Sequence, residues 1–148
     1  VELGYVYHSR AVVPEDDDAQ SHGDPRQTFG RPGTRAPHLW VERGAKRFSI
    51  LDLFRRSFVL LIGSEGGRWR EAAGAMANRF EGLELDTHQV CSTDLRDPDN
   101  RFYAQYGLSP AGACLVRPDG FVAWRAKEGE PDPQAVLGRT LGALLFQP

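Results

Sequence analysis

Cysteine is scarce in this sequence: there are two, Cys91 and Cys114, and they do not form a CxxC pair. Two thiols cannot build the disulfide framework of a small secreted domain, and no apolar leader segment points to an oxidising compartment. Long hydrophobic runs are also missing. The longest clear one, Phe58 to Ile62, is far short of the roughly 20 residues that cross a bilayer. Neither charge sign dominates, with 18 Lys and Arg against 20 Asp and Glu and a net charge of −2, so the basic stripe of a general nucleic-acid binder is absent. These absences lead us to expect a soluble, cytoplasmic protein with neither a nucleic acid nor a membrane as partner. The single methionine is Met76, and the chain opens at Val1 directly on a strand-like run, as a fragment of a longer polypeptide would.

What is present suits a folded domain. With 148 residues, 41% hydrophobic and 26% charged, the chain is one domain's worth of ordinary globular composition. A chain of this size buries roughly 68–70% of its unfolded surface and needs no metal or disulfide to hold a core.

Three regions follow from the patterning. Residues 1–13 alternate like a strand, with Tyr5 and Tyr7 on one face, and read as the tail of a preceding domain. Residues 14–36 read as a linker, because Pro14 to Pro37 holds four prolines, three glycines and the acidic run Glu15-Asp-Asp-Asp18. Residues 37–148 carry dense signals. A short strand is predicted over His38–Val41, a turn over Arg43–Lys46, then Phe48–Phe54 and a buried central strand over Phe58–Ile62. Gly63–Gly67 turns into a helix with the stripe Trp69, Ala72, Ala73, Met76 and Phe80, closed by Gly82 as a C′ glycine. A strand over Leu83–Val90 follows, with a short helix over Asp97–Tyr106 that Gly107 stops. Ala113–Ala126 is predicted to be a hairpin around Arg117-Pro-Asp-Gly120. The last helix starts at Asp132 as N-cap with Pro133 at N1, and its apolar face is Val136, Leu137, Leu141, Leu144 and Leu145. This order predicts an α/β, thioredoxin-like three-layer fold with a central mixed sheet.

The residues that would carry chemistry are largely missing. A thioredoxin-fold redox enzyme places a low-pKa cysteine where the first central strand meets its helix, because the helix N-terminus stabilises a thiolate. That place reads Ser64-Glu-Gly-Gly-Arg-Trp69. Cys91 and Cys114 read as small buried hydrophobes, and neither disulfide exchange nor peroxide reduction is expected. Residues 37–62 resemble the opening of a peroxiredoxin, without its thiol. His88 and Cys91 lack the further ligands of a zinc site, and His8, His22 and His38 are scattered. The glycines at 63, 66 and 67 lack the Gly-Lys-Ser/Thr ending of a phosphate loop, and no GxGxxG is present. Asp94, Asp97 and Asp99 suit loop solvation and capping, and Ser64 and Ser92 have no histidine and carboxylate company. No catalytic, metal or cofactor-binding residue is therefore assigned. One strip stands apart: Arg31-Pro-Gly-Thr-Arg-Ala-Pro-His38, stiff and rich in donors. Arg31, Arg35 and His38, with Tyr5 and Tyr7, are expected to dock against an adjoining surface. Residues 14–30 are expected to be mobile, and residues 1–13 to pair across a dimer or along a sheet edge.

Four blocks in order carry a resemblance: Glu2-Leu-Gly-Tyr-Val-Tyr7, Pro32-Gly-Thr-Arg-Ala-Pro-His38, Leu51-Asp-Leu-Phe54 and Leu115-Val-Arg-Pro-Asp-Gly-Phe-Val-Ala-Trp-Arg125. Together they resemble the C-terminal region of FAD-dependent aromatic-ring hydroxylases, the phenol and chlorophenol monooxygenases and polyketide hydroxylases. The resemblance implies a thioredoxin-like C-terminal domain that has lost its redox cysteines and packs against FAD- and substrate-binding domains of a parent chain. It implies FAD and NAD(P)H for that parent, with hydroxylation of phenolic rings, and no cofactor in this chain; a homodimer is possible in such a family. A second reading stands beside it, a free-standing thioredoxin-like binding protein without redox cysteines.

Overall fold

The computed structural model describes residues 33–80, 82–92 and 95–145. Its elements are β1 (Trp40–Arg43), β2 (Lys46–Ser49), a 3₁₀ turn (Ile50–Leu53), β3 (Phe58–Ile62), α1 (Gly67–Arg79), β4 (Leu85–Gln89), α2 (Phe102–Tyr106), β5 (Ala113–Val116), β6 (Val122–Ala126) and α3 (Pro133–Leu145). Strands β3 to β6 form one sheet in the order β4-β3-β5-β6. The β3–β4 pair is parallel and needs the α1 crossover, whereas β3–β5 and β5–β6 are antiparallel. This is the thioredoxin order, as the hydrophobic pattern predicts.

Alternation along the central strands sorts the core into two layers. Phe58, Leu60 and Ile62 of β3 meet Ala113 and Leu115 of β5 and the apolar stripes of α1 and α3 on one face. Val59 and Leu61, with Cys114 and Val116, face the other way. There they pack with Val41 of β1, Ile50 and Phe54 around the 3₁₀ turn, and Phe102 and Tyr106 of α2. All five residues of β3 are buried, which explains why it reads as an unbroken apolar run. A bulge opposite Leu115 and Val116 lets β6 place both Ala123 and Trp124 on the α1/α3 side. The capping expected of Asp132 is made: its Oδ1 accepts the Ala135 N–H at 3.2 Å.

Several boundaries differ from the sequence reading, each for a local reason. The first hairpin strand begins at Trp40 rather than His38, and Phe48–Phe54 is the end of β2 followed by the 3₁₀ turn, started by Ser49 Oγ accepting from the Leu51 N–H. The fourth strand keeps only Leu85–Gln89. The short helix loses its first half because Asp97 closes a separate turn, accepting from the Asn100 N–H, while its carboxylate reaches the Phe102 N–H at 2.8 Å. Gly82, at φ 84°, lies two residues beyond the cap Phe80 and is not the C′ residue. The composition-based boundary at residue 36 also differs from the hydrogen bonding, since residues 33–36 are paired with the domain. Gly33 N–H donates to Val122 O, Val122 N–H to Thr34 O and Ala36 N–H to Gly120 O, each at 2.8 Å.

Candidate functional site

The place where a thioredoxin-fold enzyme keeps its nucleophile is the turn from β3 into α1. Here it is closed by polar cross-ties. The Ser64 N–H donates to Tyr103 Oη at 3.0 Å, and the tyrosine hydroxyl lies 3.2 Å from Ser64 Oγ. Gln89 at the end of β4 donates to Gly63 O and Ser64 O. Gly63 is fixed by contact, because a Cβ there would collide with the Pro110 carbonyl. The turn is thus a junction joining β3, β4 and α2, and it holds no thiol.

Cys91 approaches this junction from the end of β4, in a left-handed backbone conformation at φ 62°. Its thiol is 3.8 Å from Asp97 Oδ2, and Asp97 Oδ1 is buried without a hydrogen-bond partner. Burial pushes the Cys91 pKa up from 9.0; a hydrogen bond with Tyr103 opposes this, and the Asp97 carboxylate adds to it. Burial likewise raises Tyr103 and, more strongly, Tyr106. A reactive thiolate needs the opposite environment. Cys114 is fully buried in β5.

A pH prediction follows from these directions. The folded chain keeps protons on Cys91, Tyr103 and Tyr106 that the unfolded chain releases, so their contribution to stability is complete below the ordinary thiol value and is lost as pH rises above it. Urea midpoints should fall between about pH 8 and about pH 10, and iodoacetamide should label Cys91 more slowly than a free thiol throughout. Rapid labelling of folded protein at neutral pH would refute this.

The docking residues form a second feature. Arg35 bridges antiparallel to Phe121 beside the β6 edge, its guanidinium 5.0 Å from the Phe121 ring centroid. On the same ring lies Arg117, at 5.4 Å, which is buried and clamped by Asp119 with Nε to Oδ1 at 3.0 Å. His38 stays exposed, with Nδ1 2.7 Å from Ser49 Oγ and its ring edge-on to Trp40. The Tyr106 hydroxyl fastens the strip by donating to Pro37 O at 2.7 Å. Arg35 thus lies against the turn of the β5–β6 hairpin and His38 against the β1–β2 hairpin. Tyr5, Tyr7 and Arg31 lie outside the described residues, as do residues 1–13 and 14–30.

Sequence reasoning missed Arg117 and Arg125, both buried. Arg125 reaches Tyr106 O at 2.9 Å. The one local signal for Arg117 is its i,i+2 spacing to Asp119 within a tight turn; Arg125 has none.

Clefts on the described surface include two of moderate size. One, about 360 Å³, lies between the starts of α1 and α3 and is lined by Glu65, Arg68, Trp69 and Glu130 among others. The other, about 240 Å³, is lined by Arg35, Ala36, Leu51, Phe54, Arg55, Asp119 and Gly120. Neither is lined by the glycine-rich phosphate turn at a helix start that a dinucleotide such as FAD needs. Among the described residues no group of three or more His, Cys, Asp or Glu converges as metal ligands, and no helix is long and apolar enough to cross a membrane.

The fold and its thiol-free turn define a thioredoxin-like domain without redox cysteines. The sequence model of the family described as aromatic-ring hydroxylase, C-terminal, matches residues 30–148, and the chain belongs to that family. It is 47% identical to a 4-methyl-5-nitrocatechol 5-monooxygenase of Burkholderia sp over 98% of this chain and 27% of the relative. It is 40% identical to the aklavinone 12-hydroxylase RdmE of Streptomyces purpurascens, over 97% of this chain and 26% of the relative. Among solved structures, aklavinone-11 hydroxylase in a ternary complex with FAD and aklavinone superposes with a TM-score of 0.82 at 39% identity, over 98% of this chain and 27% of that one. The flavin-dependent monooxygenase PieE, in complex with FAD and substrate, gives 0.78 at 36%, over 99% and 26%. The chain spans about a quarter of the length of these proteins and corresponds to their C-terminal part.

Proposed function

We propose that this chain is the non-catalytic C-terminal docking domain of a cytoplasmic FAD- and NAD(P)H-dependent monooxygenase that hydroxylates phenolic rings. The observation that carries this reading is the 47% identity, across almost the whole chain, to the C-terminal quarter of a nitrocatechol monooxygenase. The thiol-free βα turn supports a non-catalytic role, and the lack of a GxGxxG or phosphate-loop motif in this sequence supports a flavin held by another part of the parent. Arg35 and His38, with Arg31, Tyr5 and Tyr7, are proposed as docking residues on the side that meets the rest of the parent. When bound in the parent, FAD supplies the oxygen chemistry, while this domain supplies only surface and rigidity.

The test compares the isolated chain with the full-length gene product. The full-length protein should purify with flavin absorbance and consume NADH or NADPH when offered a phenolic substrate. The isolated chain should show no saturable flavin fluorescence quenching at micromolar FAD. A tight one-to-one FAD complex of the isolated chain, or a flavin-free full-length protein, would overturn the reading.

A further inference from the structure

Strand β3 leaves the sheet at Ile62 and runs through α1 to its parallel neighbour β4. On its other side the antiparallel β5 is entered from the loop that ends at Gly112. In open α/β sheets, ligands lie in the crevice beyond the carboxyl ends of the parallel strands, where adjoining connections part to opposite sides. The cleft of about 360 Å³ occupies that position. Glu65, Arg68 and Trp69 line it from the β3–α1 connection, Ala111 from the loop before β5, and Glu130 and Pro131 from the loop before α3.

The three walls are tied to one another, so the cleft is formed before anything enters it. The Glu65 N–H donates to Pro110 O, Trp69 Nε1 to Ala111 O, and Arg68 Nη2 across the cleft to Pro131 O, each at 2.9 Å. Gly129 closes against Ala111, where an added Cβ would come within 3.3 Å of the alanine methyl. The charged groups of the lining are not used up in this way. Among the described residues the carboxylates of Glu65 and half-buried Glu130 take part in no hydrogen bond or ion pair, and Arg68 gives its one bond to a carbonyl. A carboxylate partly withdrawn from water beside apolar surface is well served by a cationic donor.

Two unpaired carboxylates and one guanidinium with donors to spare complement a ligand that carries two cations and one carboxylate. We propose that this cleft is a binding site for a free basic amino acid of the arginine or lysine type. Its two cationic groups meet Glu65 and Glu130, its α-carboxylate meets Arg68, and its aliphatic stem lies along Ala111 and Pro131. The volume is at the small end of ligand sites, as a molecule of that size requires. The site goes beyond the parent assignment above and does not depend on it, because its lining lies wholly within this domain.

The experiment is equilibrium dialysis of the full-length protein against radiolabelled L-arginine. One equivalent per chain should bind, with half-saturation at or below about 1 mM, an affinity ordinary for a ligand of so few atoms. Glu65→Gln and Glu130→Gln, near-isosteric changes outside the core, should each weaken binding about tenfold through loss of a charge-assisted contact. Agmatine, which lacks the carboxylate, should displace the label less well than unlabelled L-arginine, and that difference should vanish in Arg68→Gln. L-Glutamate should not displace it. The comparison of competitors on the unaltered protein needs no variant, and circular dichroism of the variants separates a lost site from a lost fold. Absence of saturable binding, binding that both glutamine variants leave unchanged, displacement by L-glutamate as effective as by L-arginine, or an agmatine difference that survives Arg68→Gln would overturn the proposal.

Discussion

Replacing Trp69 with alanine is expected to destabilise the domain by about 3–5 kcal/mol. The indole is 1% exposed at the start of α1, packs edge-on against Trp124 with ring centroids 5.5 Å apart, and donates from Nε1 to Ala111 O at 2.9 Å. Truncation therefore removes a large buried surface, an aromatic pair and the partner of a carbonyl in the loop before β5. With total stabilities of about 5–15 kcal/mol usual, the variant should be barely folded. Trp69→Phe separates the terms, since it keeps most of the packing and loses the hydrogen bond; it should fall between wild type and alanine. Urea unfolding followed by circular dichroism measures both, and a shift below about 1 kcal/mol for alanine would show that Trp69 does not anchor the α1 layer.

The second large effect is expected at Arg117. Its guanidinium is buried at 1% exposure, gripped by Asp119 and covered by the Phe121 ring. Arg117→Ala removes the arginine from the Asp119 carboxylate and leaves a hole beneath Phe121; since the Asp119 side chain is 32% exposed and still accepts the Phe121 N–H at 3.2 Å, the cost is about 1–3 kcal/mol. Arg117→Lys keeps the charge but loses the planar fork and the ring stacking, and so should recover only part of the loss. Because residues 33–36 are bonded to residues 120–122 on this same turn, both variants should also raise amide exchange at Gly33 and Ala36. Unchanged exchange there, with a stability loss elsewhere, would show that the turn and the strip are independent.

Much of the architecture is legible without coordinates. The apolar run Phe58–Ile62 marks the central strand because both its faces are covered, and the stripe from Trp69 to Met76 marks the helix that covers one of them. Arg117-Pro-Asp-Gly120 marks the hairpin by turn chemistry that operates within a few residues. The absent thiol at Ser64–Gly67 is equally plain, since it needs only the strand-to-helix position to be recognised. Boundaries are less legible. At Asp97 the backbone carbonyl closes a local turn with the Asn100 N–H while the carboxylate accepts from the helix start, and the choice of Phe102 as its distant partner is not written in the spacing.

The sequence by itself determined the order of elements, the two-faced core and the lack of a thiol at the βα turn, because these depend on periodicity and composition within short windows. The tertiary structure alone decided which polar groups are buried and what they meet. Tyr103 closes the turn at Ser64 from 39 residues away, Tyr106 holds Pro37 from 69 away, and Arg35 shares the Phe121 ring with Arg117. It also decided that residues 33–36, linker-like by composition, pair with residues 120–122 at the edge of β6. Such pairings arise only after the sheet has formed, when each buried donor must find an acceptor among the groups that packing has brought near, and residue type in isolation carries no record of that search.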